Sequence, residues 1–406
     1  MQIIIIDFKK LLLYSYGMNK DSSFFTLNKL LRSMVFIFID TFFSLYFFTL
    51  VNYRILPMAK YYLFTYLFLF IGFFLIRNLI KKEIKIGYYR ISLGLLAIYL
   101  TLILLLKENI AKYIVILGII KGLAEGFYYY PTNIFDTEKI TNENRKKYSG
   151  ILNTVNTFIS IILPIILGVF LDKYSYAEVG KVVIIFIIIM FLNSFLIKDA
   201  KYTKKNFDIK KFRKYIKTRE IFKSVAIIRI LEGLTYSSSA LNVVMTLYSI
   251  IFLRNNTHYG VFNSVLAIIS LITTTIYAYS VGKKDKKIVI FTNVITSLSL
   301  GYLFFKASIY SLSLFLIIYN SFITYVILLS KNRVANITNE YKEVQNKYKA
   351  EYHLYIEFYL ALGRLIGYLL LVFISIFDNI FYFKILILIG IVSYIILLCF
   401  LKRINE

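Results

Sequence analysis

The stretches "GILNTVNTFISIILPIILG" (residues 150–168) and "YHLYIEFYLALGRLIG" (residues 352–367) stand in register at an offset of 199 residues. Pro164 and Gly168 of the first answer to Gly363 and Gly367 of the second. Upstream, Asn153, Asn156 and Ser160 answer to Tyr352, Tyr355 and Tyr359. Positions i, i+3 and i+7 share one helix face. Each stretch therefore carries a polar stripe that runs into small or kinking residues, which let helices approach closely. The chain has 406 residues, so the offset is nearly half of it.

Other registers repeat near the same spacing. "ITNE" occurs at residues 140–143 and again at 337–340. "KKEIKI" at 81–86 is answered by "KKDKKI" at 283–288. Arg32-Ser33 is answered by Lys223-Ser224, and each pair is followed within a few turns by an acid, Asp40 or Glu232. The offsets drift between 191 and 202, as loop insertions would produce. The pattern predicts two parallel halves descended from one.

Composition sets the class. The chain is 59% hydrophobic with mean hydropathy +0.70, and only 17% is charged. Soluble domains run at roughly 45–50% apolar and about 25% charged, so this is a membrane composition. There is no Trp, and 36 Tyr and 37 Phe are left to supply any interfacial aromatic belt. The wealth of Lys, Ile, Asn, Tyr and Phe suggests an AT-rich, bacterial genome. Cys399 is alone and can form no intrachain disulfide. His258 and His353 have no partner at metal-ligand spacing, so no metal and no cofactor are expected. The N-terminal "IIII" is too short for the apolar core of a signal peptide.

A spanning helix needs about 20 mostly apolar residues. Twelve such segments can be marked, at residues 31–51, 61–80, 91–106, 113–130, 150–171, 182–197, 221–253, 259–281, 288–305, 310–330, 352–376 and 380–401. Lys and Arg between them alternate in number. With bases near span ends counted to the adjoining loop, the two tails and every second loop hold 36, the other loops 9, and Lys121, Arg229 and Arg364 sit deeper inside spans, which accounts for all 48. Positive charge collects on the cytoplasmic side, so both termini are expected inside, in the plasma (inner) membrane. The expected organisation is a tail at 1–29, a six-helix bundle at 30–197, a basic linker at 198–220, a second six-helix bundle at 221–401 and a short tail at 402–406. The linker "KDAKYTKKNFDIKKFRKYIKTRE" reads as a basic segment lying on anionic lipid. No recognition fold accompanies its charge, so a nucleic-acid partner is not expected.

Twelve spans, both ends inside, a basic central loop and two parallel halves resemble the major facilitator superfamily of secondary transporters. The likeness covers residues from about 30 to 401. The loop "KKEIKIGYYR" stands where the family has its signature loop after the second span, and "GKKDKK" is its counterpart after the eighth. The resemblance implies gating roles for Lys81, Glu83 and Asp285 in these loops. "TNENRKKYSG" is similar to the family's acid–Arg–Gly pattern through Glu143, Arg145 and Gly150. The Pro164–Gly168 stretch is similar to a Gly/Pro motif of exporters. The family's first, fourth, seventh and tenth spans line a central cavity, which would place Asp40, Lys121, Glu125, Arg229 and Glu232 along it.

An ionisable group at mid-bilayer costs about 2.5–3.5 kcal/mol on insertion scales. Seven fall within spans away from their ends: Asp40, Lys121, Glu125, Arg229, Glu232, Glu357 and Arg364. "KGLAEGFYYYP" (121–131) and "RILEGLTYSSS" (229–239) share a plan: a base, an acid one turn later, then Gly and Tyr. Lys121, Glu125 and Tyr128 are expected on one helix face, and Arg229, Glu232, Tyr236 and Ser239 on another. Asn153, Asn156, Tyr355 and Tyr359 complete the candidates for a substrate or proton site. Pro164, Gly168, Gly363, Gly367, Glu357 and Arg364 are assigned structural or gating roles. Two readings of the charge pairs stay open: cavity wall, or salt bridges that tie helices together.

These features predict an all-helical membrane protein that moves a small-molecule cargo by alternating access, monomeric and not an enzyme. Walker A and HExxH segments are absent. Proton coupling through Glu125, Glu232 or Asp40 is expected, because an acid in a partly dry cavity can trade a proton for substrate. Export of an amphipathic or aromatic compound is the leading reading. Uptake of a nutrient, a lipid or peptide cargo, and a non-transporting scaffold or sensor are the alternatives.

Overall fold

A computed structural model of the chain describes residues 20–79, 85–138, 142–198, 208–236, 239–253, 255–280, 285–323, 330, 334, 337, 340–377 and 380–404. Among them the regular elements are all helical. In lipid no water pairs with exposed backbone, so an apolar run satisfies its peptide groups by coiling into a helix. In chain order the helices are α1 (Lys20–Ile37), α2 (Ser44–Leu50), α3 (Ile55–Leu79), α4 (Lys85–Leu106), α5 (Ile110–Glu138), α6 (Asn142–Lys173) and α7 (Tyr176–Ser194). They continue as α8 (Ile209–Lys217), α9 (Glu220–Thr235), α10 (Ala240–Leu253), α11 (Asn256–Ser280), α12 (Asp285–Phe305), α13 (Ile309–Ile318), α14 (Lys349–Ser375) and α15 (Ile380–Ile404).

Eight helical segments among the described residues are long and apolar enough to cross a membrane. Three apolar helices, Ile290–Phe305, Ile309–Ser321 and Lys384–Leu397, are shorter and fall where the ninth, tenth and twelfth spans were expected. α5 covers the expected fourth.

The chain divides into two compact units. The first comprises Met1–Tyr53, Leu67–Lys205 and Asn255–Ser264; the second comprises Arg54–Tyr66, Asn206–Arg254 and Val265–Glu406. Residues of α3 and α11 are thus shared between them. Within the first unit α1 packs on α6 and α7, while α4 packs on α5 and α7. Within the second, α9 packs on α14 and α15, while α12 packs on α13 and α15.

Three local features depart from the sequence expectation. The first helix begins at Lys20, well before residue 31. Its early polar letters hid a packed face: Phe25 and Asn28 are buried. Asn28 donates to the Met190 carbonyl at 3.2 Å and accepts from Asn193 at 2.7 Å. Next, the helix widens into a π-helical turn at Phe38–Phe43, which contains Asp40. Finally, the expected seventh span is broken. α9 ends at Thr235, and Tyr236 is extended at φ −92°, ψ −172°. Tyr236 and Ser239 therefore do not continue the helical face of Arg229 and Glu232, contrary to the spacing argument. The break removes the helical partner of the Thr235 carbonyl, which instead accepts from the hydroxyls of Tyr394 (3.1 Å) and Tyr319 (3.5 Å). Lys81 and Glu83 lie outside the described residues.

Close helix contacts fall at glycines. A Cβ added at Gly363 would run into the Ile230 carbonyl, and one at Gly233 into the Leu360 carbonyl, so α9 and α14 meet backbone to backbone. In the first unit a Cβ on Gly168 would lie 2.6 Å from the Asn256 carbonyl oxygen, and one on Gly260 would strike the Pro164 carbonyl. Gly94 has open space around it. Gly363→Ala should therefore lower stability by about 1–3 kcal/mol through overpacking. Gly94→Ala should raise it by up to ~1 kcal/mol, through helix propensity alone. Thermal unfolding of the purified protein, followed by circular dichroism, reads both; equal effects at the two positions would contradict the packing.

Candidate functional site

In the first unit the π-helical turn brings Asp40 to α5. Lys121 Nζ donates to Asp40 Oδ1 at 2.6 Å and lies 3.5 Å from Glu125 Oε1. Lys121 and Glu125 are buried, whereas the Asp40 side chain is 52% exposed. Glu125 follows Lys121 by four residues, so the helix itself pairs them. One base thus stands between two carboxylates, one enclosed and one open. Next to it, Arg32 of α1 lies 3.2 Å from the centroid of the Tyr128 ring and 4.1 Å from that of Phe36. Both terminal nitrogens of Arg32 are buried, with no hydrogen-bond acceptor among the described residues.

The second unit holds a related cluster. Arg229 Nη1 bonds Glu232 Oε2 at 2.5 Å, and its Nη2 lies 3.7 Å from Glu357 Oε1 of α14. Ser330 donates to the other oxygen of Glu232. Arg229 and Glu232 are buried, while the Glu357 side chain is 37% exposed. Again one base serves two acids, of which one is enclosed and the other reaches outward.

The other candidates are scattered. Asn156 accepts from Ser33 at 2.8 Å, joining α6 to α1. Tyr355 donates to the Phe222 carbonyl at 2.7 Å, and its ring lies 4.8 Å from that of Tyr359. Tyr355 is packed against a hydrophobic core that includes Phe212, Phe222 and Tyr352. Tyr236 is buried at the break after α9, 6.4 Å from the Tyr394 ring. Arg364 stands 5.3 Å from the Tyr66 ring. Gly367 is in ordinary contact with Ala240 and Leu234. Asn153 and Arg145 lie in α6 and Asp285 opens α12, but their side chains lie outside what the structure describes.

Sequence reasoning missed two participants. Arg32 enters the sequence reading only through the repeated Arg32-Ser33 pair, although Phe36 one turn on already offers it a ring at i+4 spacing. Ser330 carries no local signal, because it meets Glu232 across 98 residues. Among the described residues no three His, Cys, Asp or Glu side chains gather where they could hold a metal.

Comparison with known proteins bears on the fold. The family model of the Major Facilitator Superfamily matches residues 66–333. A bacterial homologue of the iron transporter ferroportin, solved in an inward-facing state, superposes with a TM-score of 0.67 at 14% identity, over 99% of each chain. A D-xylose–proton symporter superposes with a TM-score of 0.66 at 12% identity, over 92% of this chain and 95% of its own. An uncharacterized protein from the sodM 3′ region of Geobacillus stearothermophilus is 25% identical over 106 residues, 26% of this chain. The match spans about half the length of that relative.

Breaking a buried pair by removing one partner strands the other charge, at a cost of about 3–5 kcal/mol. Glu232→Gln should show a loss of this size, since among the described residues Arg229 would keep the longer contact with Glu357 and a 3.5 Å bond to the Ile356 carbonyl, neither of which replaces a close carboxylate. Glu357→Gln should cost less than ~1 kcal/mol, because its contact is long and partly exposed. Chemical or thermal unfolding of the two variants side by side checks the ranking, and a larger loss in Glu357→Gln would reverse the roles given to the two acids.

Proposed function

The chain belongs to the Major Facilitator Superfamily, and from that premise we propose a secondary transporter that moves a small amphipathic or aromatic molecule by alternating access, coupled to protons. The observation that carries this is the repeated arrangement of one buried base between two carboxylates. In each set the base lies close to one acid and farther from the other, at 2.6 against 3.5 Å for Lys121 and 2.5 against 3.7 Å for Arg229, so the more loosely held acid, Glu125 or Glu357, is the one placed to exchange a proton as its surroundings change. Asp40 and Glu357 supply the open member of each set, and Glu125 and Glu232 the enclosed one. That a proton symporter has the same fold is consistent with this chemistry.

In this reading two six-span halves, 30–197 and 221–401, are joined by the basic linker 198–220. The support is the repeated pairing of helices: α1 with α6 and α7, and α4 with α5 and α7, against α9 with α14 and α15, and α12 with α13 and α15. Export is the proposed direction, in keeping with the aromatic richness of the spans. The split of 36 against 9 basic residues supports a cytoplasmic location for both termini.

Two experiments test the proposal. In reconstituted vesicles, proton-driven flux of an aromatic dye should fall at least about tenfold in Glu125→Gln, as loss of a positioned proton carrier would produce. Its pH dependence should flatten too. Wild-type flux and pH profile in that variant would overturn the coupling role, and no dye flux in the wild type would overturn the cargo class. In a Cys399→Ser background, Ala307→Cys should label from outside intact cells and Lys214→Cys should not. The opposite pattern would invert the topology.

A further inference from the structure

The linker contains a helix whose apolar side is already occupied by protein. Phe212 of α8 is buried, with its ring 5.6 Å from Tyr348, 6.0 Å from Tyr355 and 6.4 Å from Phe222. Tyr215 lies 5.5 Å from Tyr348 and 6.2 Å from Phe222. Phe212, Tyr215 and Ile216 stand at i, i+3 and i+4, so one face of α8 is docked on the core of the second unit. The helix start is fixed as well. Asp208 accepts from the Lys211 backbone N–H at 3.0 Å and from its ammonium at 3.0 Å, and its own N–H donates to Glu351 at 3.1 Å. The bonds from the Lys211 backbone and ammonium hold the Asp208 carboxyl below its usual range.

The opposite face is a stripe of cations. Lys210, Arg213, Lys214 and Lys217 fall at i, i+3, i+4 and i+7 and are all exposed. Among the described residues none of the four makes an ion pair, although the Lys210 charge helps to hold the Asp208 carboxyl down. Arg219, by contrast, is used within the protein: it lies 3.7 Å from the Tyr215 ring centroid and donates to the Tyr215 carbonyl at 2.7 Å. The segment long and apolar enough to span begins at Glu220, three residues after Lys217, so the stripe stands at the membrane border.

We propose that α8 is a receptor for anionic lipid headgroups, with Lys210, Arg213, Lys214 and Lys217 as its contacts. An ordinary amphipathic helix spends its apolar face on the bilayer. Here that face is docked on protein, so the headgroup meets a preformed platform. Phe212 then passes the bound lipid's effect to α9 and α14, the helices that carry Arg229, Glu232 and Glu357. The inference rests on the chain being a membrane protein and not on its transport cycle. Its failure would leave the transporter reading intact, and the reverse holds too.

The test uses the full-length protein, stripped of lipid in neutral detergent. Tm is followed by circular dichroism while short-chain phosphatidylglycerol, phosphatidylcholine or inorganic phosphate is added. A ligand that binds only the folded state raises Tm. Phosphatidylglycerol should raise it, and the rise should shrink in high salt, where exposed charges are screened. Phosphatidylcholine and inorganic phosphate should not match that rise. The combined variant Lys210→Gln, Arg213→Gln, Lys214→Gln and Lys217→Gln should keep the lipid-free Tm and lose the rise. If it does not fold, the double variant Lys214→Gln with Lys217→Gln should keep only part of the rise. A full rise in the variant that folds would overturn the proposal. So would no rise in the wild type, or an equal rise with phosphatidylcholine or inorganic phosphate.

Discussion

A charge enclosed among apolar helices must meet an opposite charge in the same place, and that constraint orders much of this structure. Lys121 has Asp40 at 2.6 Å and Glu125 at 3.5 Å. The first contact ties α5 to the π-helical turn that follows α1, and the second is made within α5. Arg229 does the same in the second unit, through Glu232 within α9 and Glu357 on α14. Because stranding either base would be costly, these contacts fix how each helix is rotated about its own axis. Backbone contacts at Gly233 and Gly363 then set how closely α9 and α14 approach.

The same helices contain irregular backbone, and each irregularity has a compensation. At Phe38–Phe43 the helix widens, Asp40 is carried to Lys121, and Ser44 donates to the Asp40 carbonyl at 2.9 Å. After Thr235 the helix stops, and two tyrosine hydroxyls take over the carbonyl that the break releases. Irregular turns at membrane depth are tolerated only where protein groups replace the lost hydrogen bonds. π-helical turns of this kind often mark functional sites. Asp40, half exposed and held at such a turn, is where protein charge is both anchored and open.

One fold hosts transporters of different cargo, so cargo must be argued from side chains and not from superposition. The two base-and-two-acid clusters are the chemistry this chain brings to the fold. Arg32, buried between Phe36 and Tyr128, adds a cation whose two terminal nitrogens meet no hydrogen-bond acceptor among the described residues.

What the sequence determined by itself was whatever acts over a few residues. Apolar runs had to become helices, because lipid offers the backbone no other partner. Lys121 with Glu125, and Arg229 with Glu232, were legible because i+4 and i+3 spacing puts side chains on one face. The cap of α8 by Asp208 is local in the same way. Tertiary structure decided whatever depends on which helices lie side by side. Asp40 meets Lys121 across 81 residues, Ser330 meets Glu232 across 98, and Tyr355 reaches the Phe222 carbonyl across 133. It also decided where helical periodicity fails. The face drawn from Arg229 to Ser239 assumed a continuous helix, but the chain turns extended at Tyr236. Composition reports how much of a segment is apolar. It does not report where packing and hydroxyl partners make a break in the helix less costly than its continuation.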